Sequence, residues 1–359
     1  MTWLGSLVPS AADDVRRAID AARGAIRFDQ FISIALYGEH GFYTSQQTVR
    51  LPHEDRRTGR AGRRGDFLTS PEVGPLFGTV IASALDTWWQ ELGRPRPYVV
   101  VEAGAGPGTL ARSVLSARMQ CAEALEYRTV EVSEAQLALH PSRALPGTQL
   151  PSEPFTGVVL ANELLDNLPF RLFVYDSGWK EAYVASDGER FVEHLITPAE
   201  LPACLPESAG HGARCVVHDA ARDWVTKALE ILVIGRVVAI DYGTTTASMS
   251  MRPWREWLRT YSEHERGSHY LSAVGEQDIT VEVPVDQLPQ TSSVTSQAEF
   301  LRRHGIDALV DEGRAEWQRS ASSPDLTAMM MRSRIREAEA LLDPNGLGGF
   351  SVLEWLTVS

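Results

Sequence analysis

The stretch Glu102-Ala-Gly-Ala-Gly-Pro-Gly-Thr-Leu110 carries glycines at alternate positions, Gly104, Gly106 and Gly108, directly after a short apolar run. Glycine accepts left-handed backbone and lets the main chain approach a ligand, so this spacing suits a turn beneath a nucleotide-like molecule. A dinucleotide site would repeat G-x-G-x-x-G with its last glycine at 109, but that residue is Thr109, and Pro107 intervenes. No Gly-Lys-Ser/Thr follows, which excludes a phosphate-gripping loop. Glu131 comes at the end of the next apolar run, where a carboxylate accepts hydrogen bonds from ribose hydroxyls. A plain strand-to-helix turn followed by an exposed strand-end acid would use the same residues, so both readings stand at this point.

A second cluster, Asn162, Glu163 and Asp166, follows the apolar run Gly157–Ala161. An amide offers one acceptor oxygen and two donors for orienting a substrate. The two carboxylates suit a forked grip on a guanidinium, or the removal of a proton from a nitrogen nucleophile during group transfer. Ordinary capping after a strand would favour the same residue types.

These residues need elements to hold them. Tyr98–Glu102, Arg128–Ser133, Gly157–Ala161 and Val237–Asp241 read as buried strands, with LARSVLSARM as a helix after the glycine turn. Strands alternating with helices imply an α/β fold with a mostly parallel sheet. Arg171–Tyr175 and Lys180–Val184, joined through Asp176-Ser-Gly-Trp, read as a hairpin. Upstream, Ser10 is suited to cap a helix containing Val15, Ile19 and Ala22, and Phe28, Phe31, Ile32 and Ala35 continue the apolar stripe. Ser70-Pro71-Glu72 opens another helix, with Ser70 as the cap, running to Gly93. The C-terminal hundred residues alternate short helices with a closing strand, FSVLEW.

Composition limits the partners. The 359 residues are 43% hydrophobic, enough for a large core, and carry a formal charge of −13. That charge argues against general binding of nucleic acid or anionic membrane. No run approaches the ~20 apolar residues that span a bilayer, so no stable membrane insertion is expected. Cys121, Cys204 and Cys215 are few and far apart, without zinc spacing, which fits thiols in a reducing compartment and no metal. The segment 46–65 is basic and broken by Pro and Gly, and reads as a mobile loop; Arg56, Arg57, Arg60, Arg63 and Arg64 belong to its solvated face. Trp88, Trp89, Trp254 and Trp257 read as core, and His264 and His269 as non-ligating.

The E-x-G-x-G-x-G spacing resembles motif I of class I methyltransferases, and longer segments extend the likeness. These are Phe31–Tyr37 with His40–Tyr43, Gly65-Asp-Phe-Leu-Thr-Ser-Pro-Glu-Val73 with Phe77-Gly78, Val130–Ser133, Asn162-Glu-Leu-Leu-Asp-Asn-Leu-Pro169, Asp241–Gly243, Asp278–Thr280 and Leu342–Gly348. In this order they resemble the MidA-type S-adenosylmethionine-dependent methyltransferases of bacteria and mitochondria. A glutamine common in that family after the second strand is replaced here near His140-Pro141.

The resemblance implies a class I methyltransferase, Rossmann-like mostly parallel sheet with an N-terminal helical lid and an inserted or appended α/β portion. It divides the chain into a lid region (1–95), a cofactor-binding core (96–250) and a C-terminal portion completing the core (251–359). It implies S-adenosyl-L-methionine as cofactor, held by Glu102, Gly104, Gly106, Gly108 and Glu131, with Asp66, Thr69, Ser70 and Glu72 closing the site from the lid side. Asn162, Glu163 and Asp166 would then face a substrate arginine. The mitochondrial relatives are protein arginine methyltransferases that modify a subunit of respiratory complex I, so a protein substrate of that kind is implied; the cysteine usage makes the cytoplasm the expected compartment. Two other readings stay beside this one: a non-catalytic assembly chaperone and a small-molecule methyltransferase.

Overall fold

The computed structural model describes residues 9–44, 69–262, 265–323 and 325–358. The basic stretch 46–65, Asp66 and His264 lie outside the described residues. Two units share the chain by interleaving: one takes 1–49, 165–225 and 242–289, the other 50–164, 226–241 and 290–359. Residues of the first 95 positions therefore occur in both.

The second unit is built on a sheet of seven strands among the described residues. In spatial order they are Ser293–Ser296, Ser351–Thr357, Leu232–Asp241, Phe155–Asn162, Tyr98–Ala103, Leu125–Val130 and Leu145–Gly147. The last five run parallel, and Ser351–Thr357 lies antiparallel to both neighbours, which meets the expectation of a mostly parallel sheet. Tyr98–Ala103 is buried at every residue, as a central parallel strand covered on both faces must be. Gly157 is required there by close approach, because a Cβ on it would lie 1.8 Å from the Val99 carbonyl oxygen.

Two helix expectations in this unit are corrected. Thr69, not Ser70, occupies the cap of the helix Ser70–Val73, and its N–H donates to the Glu72 carboxylate at 3.1 Å. The segment does not continue as one helix: Gly74, at φ 157°, interrupts it, and a second helix runs Pro75–Glu91. The Leu76 N–H exposed by this break donates to Glu337 at 2.8 Å, a buried carboxylate from the helix Leu326–Leu341. Trp88 is buried against Phe300 and His304, as its core reading required.

The first unit starts with the helix Ala11–Ala21, where Ser10 and Asp13 form the reciprocal cap. Arg23 and Gly24 take positive φ and end it; the strand Ala25–Arg27 and the helix Phe28–Tyr37 follow. The expected hairpin is present as Arg171–Tyr175 and Trp179–Ser186, turned through Ser177 and Gly178 at φ 57° and 140°. It forms the middle of a five-stranded antiparallel sheet with Ala25–Arg27, Phe191–Ile196 and Arg214–Val217. Phe28 packs on Phe170 and Tyr270 in the core of this unit, with ring centroids 5.6 and 5.4 Å away, and Trp257 is fully buried there.

Candidate cofactor and substrate site

Strand register decides which residues meet. Ala103, at the end of its strand, is paired with Val130 on one side and Ala161 on the other. The residues that leave these three neighbouring strands, Gly104, Glu131 and Asn162 with Glu163, therefore emerge along one edge of the sheet. In open parallel sheets that edge is where ligands bind.

All three glycines of the turn are left-handed, Gly104 at φ 68°, Gly106 at 52° and Gly108 at 76°. This is a backbone that L side chains rarely adopt. The turn is tied to the neighbouring strand because the N–H groups of Gly104 and Ala105 both donate to the Val130 carbonyl, at 2.9 and 3.1 Å. Glu131 lies one residue beyond the strand, which stops at Val130 rather than continuing to Ser133. Its carboxylate explains the stop: one oxygen accepts the Gly106 N–H and the other the Ser133 N–H, both at 2.9 Å. Burial raises its carboxyl pKa above the usual range against the pull of those donors.

Glu102 sits beneath the turn, 4% exposed, and accepts the Tyr127 hydroxyl at 2.7 Å. Burial pushes its pKa up to about 7. Arg112 braces the turn from the following helix, donating to the carbonyls of Pro107 at 2.7 Å and Leu139 at 2.9 Å. His140 bridges Thr129 Oγ1 and the Gly106 carbonyl, each at 2.8 Å.

Gln136 was not singled out in the sequence, although it lies only five residues past Glu131. It is 3% exposed, and its side-chain oxygen is buried without a hydrogen-bond partner. That oxygen lies 3.4 Å from the position a Cβ on Gly106 would take. An orphaned buried acceptor beside a left-handed glycine cradle suits a ligand that carries hydroxyl or amino donors, as the ribose, adenine and amino groups of S-adenosylmethionine do. The residues present therefore fit that cofactor.

Asn162 ends the central strand and Glu163 follows it. Glu163 takes φ 50°, an uncommon conformation for a non-glycine residue, and its N–H donates to the Ile240 carbonyl at 2.9 Å. Its Oε1 accepts Asn162 Nδ2 at 3.1 Å and the Ser70 N–H at 3.3 Å. The Asn162 amide oxygen is buried without a partner. Thr69, Ser70, Glu72, Glu102, Gly104, Gly106, Gly108, Glu131, Asn162 and Glu163 thus all belong to the same unit.

Asp166 belongs to the other unit, on the short 3-10 turn Leu165–Asn167. It is 4% exposed and accepts the Thr280 hydroxyl. Next to it, Asn167 Nδ2 donates to Asp278 at 3.1 Å, and the Tyr43 hydroxyl donates to the same carboxylate oxygen at 2.9 Å. The segments Tyr43 and Asp278–Thr280, known from sequence only as points of likeness, thereby become the surroundings of Asp166.

Comparison with known proteins bears on this arrangement. The family described as "putative S-adenosyl-L-methionine-dependent methyltransferase" matches residues 80–303, more than half of the chain. The chain is 24% identical over 343 residues to the rat protein named protein arginine methyltransferase NDUFAF7, mitochondrial, covering 80% of this chain and 73% of that one. To the human protein of the same name it is 26% identical, covering 68% of this chain and 65% of that one. To the Drosophila melanogaster homolog it is 32% identical, but the match spans only 40% of that protein. Among solved structures, a Burkholderia thailandensis protein bound to S-adenosyl-homocysteine is 27% identical, with a TM-score of 0.75 over 98% of this chain and 95% of that one.

Proposed function

The chain belongs to the S-adenosyl-L-methionine-dependent methyltransferase family, and from that premise we propose that it methylates an arginine side chain of a protein. The observation that carries this reading is the edge shared by the three parallel strands. It brings a left-handed glycine turn, the Glu131 carboxylate and a second, separately held carboxylate, Glu163, out of neighbouring strands. The first two suit a nucleoside; the third suits a cationic acceptor. The names of the rat and human relatives support arginine as that acceptor.

When bound, S-adenosylmethionine supplies an electrophilic methyl group on a sulfonium centre. In our reading Gly104, Gly106 and Gly108 let the backbone approach it, and Glu131 and Gln136 accept its donors. Glu102 keeps the turn in place from below through Tyr127. Thr69, Ser70 and Glu72 form the lid side. Glu163 holds the guanidinium of the acceptor and lowers the freedom of its attacking nitrogen, which raises the effective concentration of the reacting pair. The nitrogen loses a proton as it is methylated, and a carboxylate oxygen of Glu163 receives it. Asn162 orients the acceptor through its buried amide oxygen.

The family resemblance directs the search for the acceptor to a subunit of respiratory complex I. We place the enzyme in the cytoplasm, a reading supported by Cys121, Cys204 and Cys215, which are all free thiols. The test is a comparison of methyl-arginine in proteins from wild-type cells and cells lacking the gene. A methyl-arginine site lost on deletion supports the reading; an unchanged inventory overturns it.

A further inference from the structure

Ser70 sends two groups in different directions. Its N–H reaches the Glu163 carboxylate at 3.3 Å, and its hydroxyl donates to the side-chain oxygen of Gln297 at 2.9 Å. Ser70 and Gln297 are both fully buried. Gln297 is the first residue of the helix Gln297–Arg303, and its own N–H donates to the Phe350 carbonyl at 2.7 Å. Its side-chain Nε2 donates to the Leu341 carbonyl at 3.3 Å.

A carbonyl can only accept, so the Gln297 amide nitrogen must face Leu341 and its oxygen must face Ser70. The Ser70 hydroxyl is then obliged to donate. Every donor and acceptor from Leu341 to Glu163 is therefore fixed: Gln297 donates to Leu341, and Ser70 donates to Gln297 through its hydroxyl and to Glu163 through its N–H. The helix that ends at Leu341 also supplies Glu337, which holds the Leu76 N–H at 2.8 Å, so the segment 70–76 is held by Gln297 at one end and by Glu337 at the other.

Glu163 needs such fixing. Left-handed backbone at a non-glycine residue is strained and persists only where its surroundings over-determine it. We propose that Gln297 is a positioning residue for the Glu163 carboxylate, acting through Ser70. The proposal rests on the reading of Glu163 as the group that faces the acceptor arginine.

The test uses the full-length protein, S-adenosylmethionine with a labelled methyl group, and protein extract from cells lacking the gene as the acceptor probe. Gln297→Leu slows labelling about tenfold, the scale expected when a reacting group is misplaced by a fraction of an ångström. Its affinity for S-adenosylhomocysteine, measured by calorimetry, stays within about twofold. Gln297→Met, closer in shape, takes its place if the leucine variant does not fold. Combining Gln297→Leu with Ser70→Ala slows labelling no further than the slower single variant, and adding it to Glu163→Gln changes the residual rate less than about twofold. The positioning role is overturned if Gln297→Leu slows Glu163→Gln as much as it slows the wild type, or if cofactor affinity falls in step with the rate. Absence of any labelling by the wild-type protein would instead overturn the arginine reading, and the proposal with it.

Discussion

The Glu131 carboxylate accepts the Gly106 N–H at 2.9 Å, so the acid beyond the second parallel strand and the middle glycine of the turn hold one another in place. Neither residue can be changed without disturbing the other. Glu131 shapes the glycine cradle before any ligand arrives, because its second oxygen is fixed by the Ser133 N–H.

Replacing Glu131 with Ala removes the acceptor of both N–H groups, and Gly106→Val places a β-branched residue at φ 52°. Each change is expected to weaken S-adenosylhomocysteine binding by about tenfold or more, in line with ~1.5–3 kcal/mol for hydrogen bonds to a charged group. Calorimetry on the purified variants checks this. Wild-type affinity in both would remove the glycine turn from the cofactor site.

Glu163→Gln keeps size and most of the local bonding but removes the charge and the proton acceptor. Methyl transfer should fall by about a hundredfold or more, the usual scale for a general base, while cofactor affinity is retained. Labelling at the wild-type rate would show that the Glu163 charge is not used in transfer.

Glu102 has a pH signature. Its carboxyl is raised by burial from 4.5 to about 7 in the folded protein, so between those values the unfolded chain has lost a proton that the folded one retains. Stability contributed at this residue therefore declines as pH rises from about 4.5 to about 7, and is level on either side. Glu102→Gln still accepts the Tyr127 hydroxyl but does not ionise. Melting temperatures at pH 5 and pH 8 should show the variant gaining on the wild type at the higher pH. A constant difference between the two would refute the shift.

Gly74 is crowded by a carboxylate. A Cβ there would lie 2.3 Å from Glu337 Cδ, on backbone at φ 157°. Gly74→Ala is expected to cost about 2–4 kcal/mol from overpacking and backbone strain together. In a Glu337→Ala background the added cost should shrink by roughly half, since the clashing group is gone. Denaturant melts of the two singles and the double decide it, and simple additivity would place the damage elsewhere.

Local signals carried much of the fold. Runs of valine and alanine identify Tyr98–Ala103 and Phe155–Asn162 as central strands because both faces are buried there. Ser10 caps its helix as its residue type suggests. The helix Ser70–Val73 shows the limit: Thr69 and Ser70 are both capping residue types, and in the fold Thr69 takes the cap while the Ser70 hydroxyl is spent on the distant Gln297. The strand Ala25–Arg27 was hidden because three residues are too few for a period to show.

By itself the sequence determined the features set by backbone chemistry over a few residues: a glycine turn that must be left-handed, an acid ending the next strand, a carboxylate pair after the third, and a sheet mostly of parallel strands. Tertiary structure decided how those carboxylates are used. Asp166 lies only three residues from Glu163, yet it falls in the other unit, on the Thr280 hydroxyl, while Glu163 is held by Ser70. Gln297 meets Ser70 across 227 residues. Such contacts arise when buried polar groups are matched as distant segments pack, and no local periodicity records which distant donor will satisfy a given acceptor.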